Sequence, residues 1–139
     1  MFANPSDDRI RAILESARTI AIVGLSPRPA RPSNQVARFL MAAGYRVMPV
    51  NPGHAEILGL PCYPCVGDVP EPIDIVDCFR RSDQIPPIAD AAIESGAQVL
   101  WLQLGVVSEE AAARATRAGL AVVIDRCIEI EYIRLGCRR

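Results

Sequence analysis

The sequence predicts an α/β domain built on a doubly wound, mainly parallel five-stranded sheet. Three observations carry that expectation. Five short runs of β-branched and aliphatic residues recur, at 19–25, 45–50, 73–79, 98–104 and 120–124. Most are apolar without alternation, the pattern of strands buried on both faces. Helically spaced segments separate most of them, and right-handed crossovers then place helices on both faces of a parallel sheet. Finally, 139 residues, half of them hydrophobic, suffice for one domain with a sizeable core and are too few for two ordinary ones. Residues 1–139 are therefore expected to form a single domain.

Ser6-Asp7-Asp8 ahead of Ile10, Ile13, Leu14 and Ala17 predicts an N-capped helix within 1–18, its acidic first turn facing the helix dipole. Thr19 to Leu25 is the first strand. Pro27, Pro29 and Pro32 then fix φ and remove donors, so 26–32 leaves the strand as an extended loop. Ser33 is expected to cap a helix whose apolar face is Val36, Ala37, Phe39, Leu40 and Ala43, with Gly44 as its stop. Tyr45 to Val50 is the second strand, and Pro49 indicates an amide side free of the ladder.

The stretch from Asn51 to Pro72 is punctuated by Pro and Gly and predicts turns with at most a small strand. Ile73 to Phe79 is the third strand, followed by a helix from about Pro87 to Ser95. Gln98 to Leu104 is the fourth, and Ser108 opens an Ala-rich helix closed by Gly119. Leu120 to Ile124 is the fifth strand, and Cys127 to Leu135 is the last helix. The expected arrangement is Rossmann-like, with strand order 3-2-1-4-5. Its ligand crevice is expected at the carboxyl ends of strands one and four, where the winding reverses.

Composition excludes several functions. A net charge of -1 supplies no basic excess for neutralising phosphates along nucleic acid or an acidic membrane. All 15 basic residues are Arg, so Schiff-base lysine chemistry and a Walker-A lysine are impossible. One His, at 54, cannot build a multi-histidine metal site. The N-terminal residues lack a basic segment followed by an apolar one, and no apolar run reaches the roughly 18 residues of a membrane span. A cytoplasmic protein is expected. Five Cys, an odd number, fit reduced thiols better than a disulfide framework.

The loops at the predicted crevice run from Gly24 to Ser33, Asn51 to His54, Phe79 to Arg81 and Gln103 to Gly105. They gather Arg28, Arg31, Arg80 and Arg81 beside a helix N-terminus, a setting suited to phosphate. The alternative, solvated loop charges, stays open. The dinucleotide fingerprint G-x-G-x-x-G is poorly matched: Gly24 is present, but Ser26 stands where the second glycine belongs. Strand two ends in Val50-Asn51 without the acidic residue that would hold a ribose 2′-hydroxyl, which also disfavours NAD.

Cys62-Tyr63-Pro64-Cys65 has the spacing of a metal or dithiol pair. It lacks two further ligands and lies in a proline turn. Asp74 and Asp77, three apart on a strand, face opposite sides and form no acid/base pair. Trp101, inside the fourth strand, reads as core. No catalytic group and no metal site are assigned.

Five segments in order, Ile22-Val-Gly-Leu-Ser26 with Arg31-Pro-Ser33, Gly44 to Pro52, Ile73-Asp-Ile-Val-Asp-Cys-Phe-Arg80, Gln103-Leu-Gly105 and Asp125-Arg-Cys127, carry a resemblance to a known family. The chain resembles the small stand-alone coenzyme A-binding proteins, similar to the N-terminal domain of the succinyl-CoA synthetase α subunit. The resemblance covers nearly the whole chain. It implies binding of coenzyme A or acyl-CoA through the ADP half, with Gly24, Ser26, Arg31, Ser33 and Asn34 lining the pyrophosphate loop. It also implies that Asn51, Pro52 and His54 follow strand two where the synthetase pattern has Pro-Gly and a lysine. Phe79 and Arg80 would flank adenine and phosphate.

Such synthetases carry their phospho-histidine in a separate domain, so binding without turnover is expected, as a sensor or as the partner of an acyl-CoA enzyme. Two other readings remain. One is a nucleotide-dependent enzyme, an oxidoreductase or an acyl transferase using Cys127 at a helix start. The other is a protein-interaction module with a vestigial crevice. A small-molecule ligand is expected throughout, while a protein partner and a homodimer stay open.

Overall fold

A computed structural model describes residues 2–139 and sets five strands side by side in one parallel sheet. These are β1 (Thr19–Val23), β2 (Arg46–Val50), β5 (Ile75–Cys78), β6 (Val99–Leu102) and β7 (Ala121–Val123). The remaining two, β3 (Glu56–Ile57) and β4 (Leu60–Pro61), form a small antiparallel hairpin in the connection after β2. The helices are α1 (Asp7–Ser16), α2 (Pro32–Ala42), α3 (Ile85–Ser95), α4 (Glu109–Arg117) and α5 (Ile128–Arg134).

Strand alternation divides the core into two layers. Ile20, Ile22, Ile75, Val99, Trp101 and Val123 pack beneath α1, α2 and α5. On the reverse face, Ala21, Val23, Val76, Leu100, Leu102 and Val122 pack beneath α3 and α4. The Ala-rich faces of α3 and α4, including Ala89, Ala92, Ala111, Ala112 and Ala115, are fully buried, because small side chains let helices lie close to the sheet and to each other. Trp101 is entirely buried, and its indole N–H donates to the Arg126 carbonyl, as a core tryptophan requires.

The sheet order is β2-β1-β5-β6-β7. Tyr63 also bridges Val50 in parallel outside β2, and counting it as a rudimentary third strand gives the Rossmann-like 3-2-1-4-5 pattern with one strand more. The outer position is thus filled by Tyr63, which donates to Pro49 O and accepts from Asn51 N. The segment from Ile73 to Phe79 lies on the other side of β1, paired residue by residue from Ile20↔Ile75 to Val23↔Cys78. The winding therefore reverses between β1 and β5. This shifts the crevice one strand from the position that strands one and four in chain order predict.

Local starts also differ from expectation. Helix α2 begins at Pro32 with Arg31 as its N-cap and no side-chain cap bond, so Ser33 lies inside the first turn. Helix α3 begins at Ile85, two residues before Pro87, because Pro86 and Pro87 are both accommodated in a first turn whose N–H groups need no partner. Ser6 and Ser108 do cap α1 and α4, accepting from Arg9 N and Ala111 N. No helix among the described residues is long and apolar enough to cross a membrane.

Candidate functional site

The carboxyl ends of β1 and β5 meet at Gly24. Its φ of +83° lies in the left-handed region, and a Cβ there would come within 2.4 Å of the Phe79 carbonyl oxygen. Only glycine lets the two chains approach this closely. Gly24 N donates to Val50 O at 2.8 Å, so this one residue ties together the ends of β1, β2 and β5.

Beyond Gly24 the proline loop is fastened by side chains that the sequence suggested as ligand contacts. Ser26 N donates to Ser33 Oγ (2.9 Å) and Asn34 Nδ2 donates to Ser26 O (2.9 Å). Asn51 Nδ2 reaches across from the end of β2 to Leu25 O (3.0 Å). Ser33 and Asn34 are buried, so these bonds form away from competing water. The loop is thereby held open without regular structure, and Arg28 and Arg31 project from it into solvent.

Two cavities flank the junction. One, of about 370 Å³, lies at the N-terminus of α2 and is lined by Gly24, Ser26, Arg28, Arg31, Ser33 and Phe79. Neither Arg28 nor Arg31 has a carboxylate partner among the described residues. Arg28, Arg31 and the positive end of an 11-residue helix border it, which favours an anion. The other cavity, of about 490 Å³, lies between the end of β5 and α3, with Val50, Pro52, Val66, Arg80, Ile88 and Ala91 on its walls. Its walls are mostly apolar, and it also takes in Arg80, whose Cδ lies beside Gly24, the residue common to both cavities, and whose guanidinium donates to Gln84 Oε1 at 2.9 Å. The pair can seat an anionic group beside a flat apolar one.

Of the predicted residues, Gly24, Ser26, Arg28, Arg31, Ser33, Pro52, Phe79 and Arg80 line one cavity or the other. Asn34 and Asn51 stand behind the wall as fasteners. His54 is exposed on the turn after β2 and lines neither cavity. Arg81 points outward beside Asp83 at 3.6 Å. Gln103 and Gly105 belong to a separate cluster two strands from β1. Gln103 Oε1 accepts from Ile128 N (3.1 Å), and Gly105 N donates to Asp125 Oδ1 (2.7 Å).

The sequence reading missed Pro64, Cys65, Val66, Ile88 and Ala91 as wall residues. Val66 and Ile88 carry an ordinary packing signal, and only the folded connection brings them to the crevice. The Cys62 and Cys65 thiols lie apart in environment, one buried and one exposed. Cys65 donates to Asp68 Oδ2, a bond that raises its pKa, and burial raises that of Cys62. Both are thus held as thiols, which weakens any nucleophilic role. Cys127 is half-buried at the start of α5, its carbonyl accepting from Glu131 N.

A family model described as a CoA binding domain matches residues 18–133. The Bacillus subtilis protein YneT, described as uncharacterized, is 42% identical over 129 residues, which cover 93% of this chain and 96% of that protein. A hypothetical protein from Pyrococcus horikoshii has a TM-score of 0.93 at 40% identity, covering 98% of each chain. Acetate–CoA ligase (ADP-forming) I from Archaeoglobus fulgidus is 26% identical over 121 residues, 80% of this chain but 18% of the ligase.

Proposed function

The chain belongs to the CoA-binding domain family and is homologous to the CoA-binding domain of ADP-forming acetate–CoA ligase; from that premise we propose that its crevice binds coenzyme A or an acyl-CoA through the ADP half, without turnover. The observation that carries this reading is the pair of cavities meeting at Gly24, one with two unpaired arginines at a helix start and one with apolar walls. The pyrophosphate sits against Arg28, Arg31 and the first turn of α2, where guanidinium forks and the helix dipole act together. The adenine enters the apolar cavity between Val50, Pro52 and Ile88, and Arg80 serves the phosphates from its place beside Gly24.

The absence of turnover in this reading follows from the chemistry at hand. The single His lies outside both cavities, and the one thiol on a cavity wall, Cys65, is held protonated by Asp68. The protein then acts in the cytoplasm, where its five free cysteines stay reduced, as a sensor of CoA species or as the partner of an acyl-CoA enzyme.

Thermal unfolding with coenzyme A, acetyl-CoA, NAD and ATP tests the reading. A ligand at about 100 times its Kd stabilises the native state by roughly 2.7 kcal/mol. An upward shift with the CoA species, lost in Arg31→Ala and reduced in Arg28→Ala, is expected. No shift at millimolar coenzyme A overturns the proposal, and an equal shift with NAD overturns its specificity.

A further inference from the structure

Asp77 lies at the centre of the sheet, on β5, in register with Ile22 of β1 on one side and Trp101 of β6 on the other. Strand alternation directs it, like Ile75, to the face covered by α1, α2 and α5. Its side chain is wholly buried, and neither carboxyl oxygen has a hydrogen-bond partner among the described residues. Among the described residues, no hydrogen-bond donor on that face reaches it. An isolated carboxylate removed from water without a compensating donor is too costly to persist, and such a group neutralises instead.

The ionisable groups on the surrounding elements are engaged elsewhere. On α5, Glu131 is closed by Arg126 and Arg134, while Tyr132 packs edge-on against Phe39 and Tyr45. On α2, Arg38 donates to Asn34 Oδ1 and Pro29 O; on α1, Arg11 donates to Asp8 and Leu135 O. The Tyr45 hydroxyl donates to Leu14 O. Cys127 and Cys137 sit at the rim of this layer, and Cys78, the next residue of β5, points to the opposite layer.

We infer that Asp77 is stored as a neutral acid in the folded chain, and that losing this proton loosens the carboxyl end of β5, which leads into the crevice-wall residues Phe79 and Arg80. The device is a proton-dependent lock beneath the crevice, separate from ligand contact. Burial alone pushes the carboxyl well above its ordinary range, since no neighbouring charge offsets it. The folded chain then holds a proton that the unfolded chain releases near pH 4. Stability consequently falls as pH rises between that ordinary value and the raised one, by up to about tenfold in the folding constant per pH unit, and levels off above it.

Chemical denaturation of the native protein and Asp77→Asn from about pH 5 to about pH 9 tests this. The folding constant of the variant relative to the native protein is expected to grow with pH towards that tenfold slope. A ratio independent of pH overturns the inference. Should the variant fail to fold, carboxyl-carbon NMR of the native protein decides: one aspartate remaining neutral at pH 7 supports it, and every aspartate ionised there overturns it. The loosening of β5 is read at the Phe79 amide, which donates to Val23 O at 2.8 Å. Its exchange, corrected for the intrinsic rate, should accelerate with pH in the native protein and not in Asp77→Asn. An equal response in both overturns the link to the crevice wall. None of these readouts requires coenzyme A to bind, so failure of the ligand proposal would be seen separately.

Discussion

Gly24 carries two constraints at once, a left-handed φ and a missing Cβ that would otherwise strike the Phe79 carbonyl. Gly24→Ala should therefore cost about 3 kcal/mol, the sum of a backbone strain and an overpacking penalty, measurable as a lowered denaturation midpoint with an unchanged slope. A glycine at the end of the first strand was visible in the sequence as a turn residue. Its second role was not, because the neighbour it accommodates lies 55 positions away along the chain. Ser33 makes the same point. Its place before an apolar run predicts a helix cap, yet the Ser26 N–H comes closer in the fold and takes the hydroxyl. A hydroxyl serves whichever donor the backbone presents, and that is a property of the loop.

At the scale of elements, each edge of the sheet is met at one point by a residue from another segment. Tyr63 pairs beside β2. Just past β7, the Asn4 side-chain amide donates to Ile124 O (2.9 Å) and accepts from Ile124 N (2.8 Å), so one side chain satisfies both backbone groups of that residue. Asn4→Ala should lower stability by about 2 kcal/mol for the two lost bonds, with faster amide exchange at Ile124 as the local sign. The cap of α4 offers a simpler case. Ser108→Ala should cost about 1 kcal/mol by denaturation, since Ala111 N loses its acceptor. The strands were legible because each is a short, continuously apolar run. Their neighbours were less so: Ile75–Cys78 pairs with β1, and nothing in its own composition distinguishes that slot from the one beside β2.

Across the whole molecule, the first and last helices are locked by charge. Arg134 of α5 bonds both Asp7 of α1 (2.9 Å) and Glu131 (2.8 Å), and Arg126 adds a second contact to Glu131 at 2.7 Å. The hydrogen bonds from Arg134 hold the Asp7 and Glu131 carboxyls below their ordinary ranges, with Arg126 contributing further at Glu131. A depressed folded pKa means that this stabilisation is complete above the unfolded value, near pH 4.3 for Glu131, and is lost as pH falls through the folded one. Glu131→Gln should therefore lower stability by about 2 kcal/mol at neutral pH and flatten the acid limb of the stability profile.

The amino-acid sequence by itself determined the α/β class, the positions of the five strands and the family, because periodicity, apolar content and ordered motifs are local properties of the chain. It also pointed to the loops that carry Arg28, Arg31 and Arg80. Only the tertiary structure decided that β1 and β5 are neighbours, that the crevice is two cavities meeting at Gly24, and that Gln103 and Gly105 belong to a different cluster. It likewise decided that Asp77 has no partner. Strand adjacency and burial depend on which distant segments pack together, and that choice is made by the summed contacts of the folded chain.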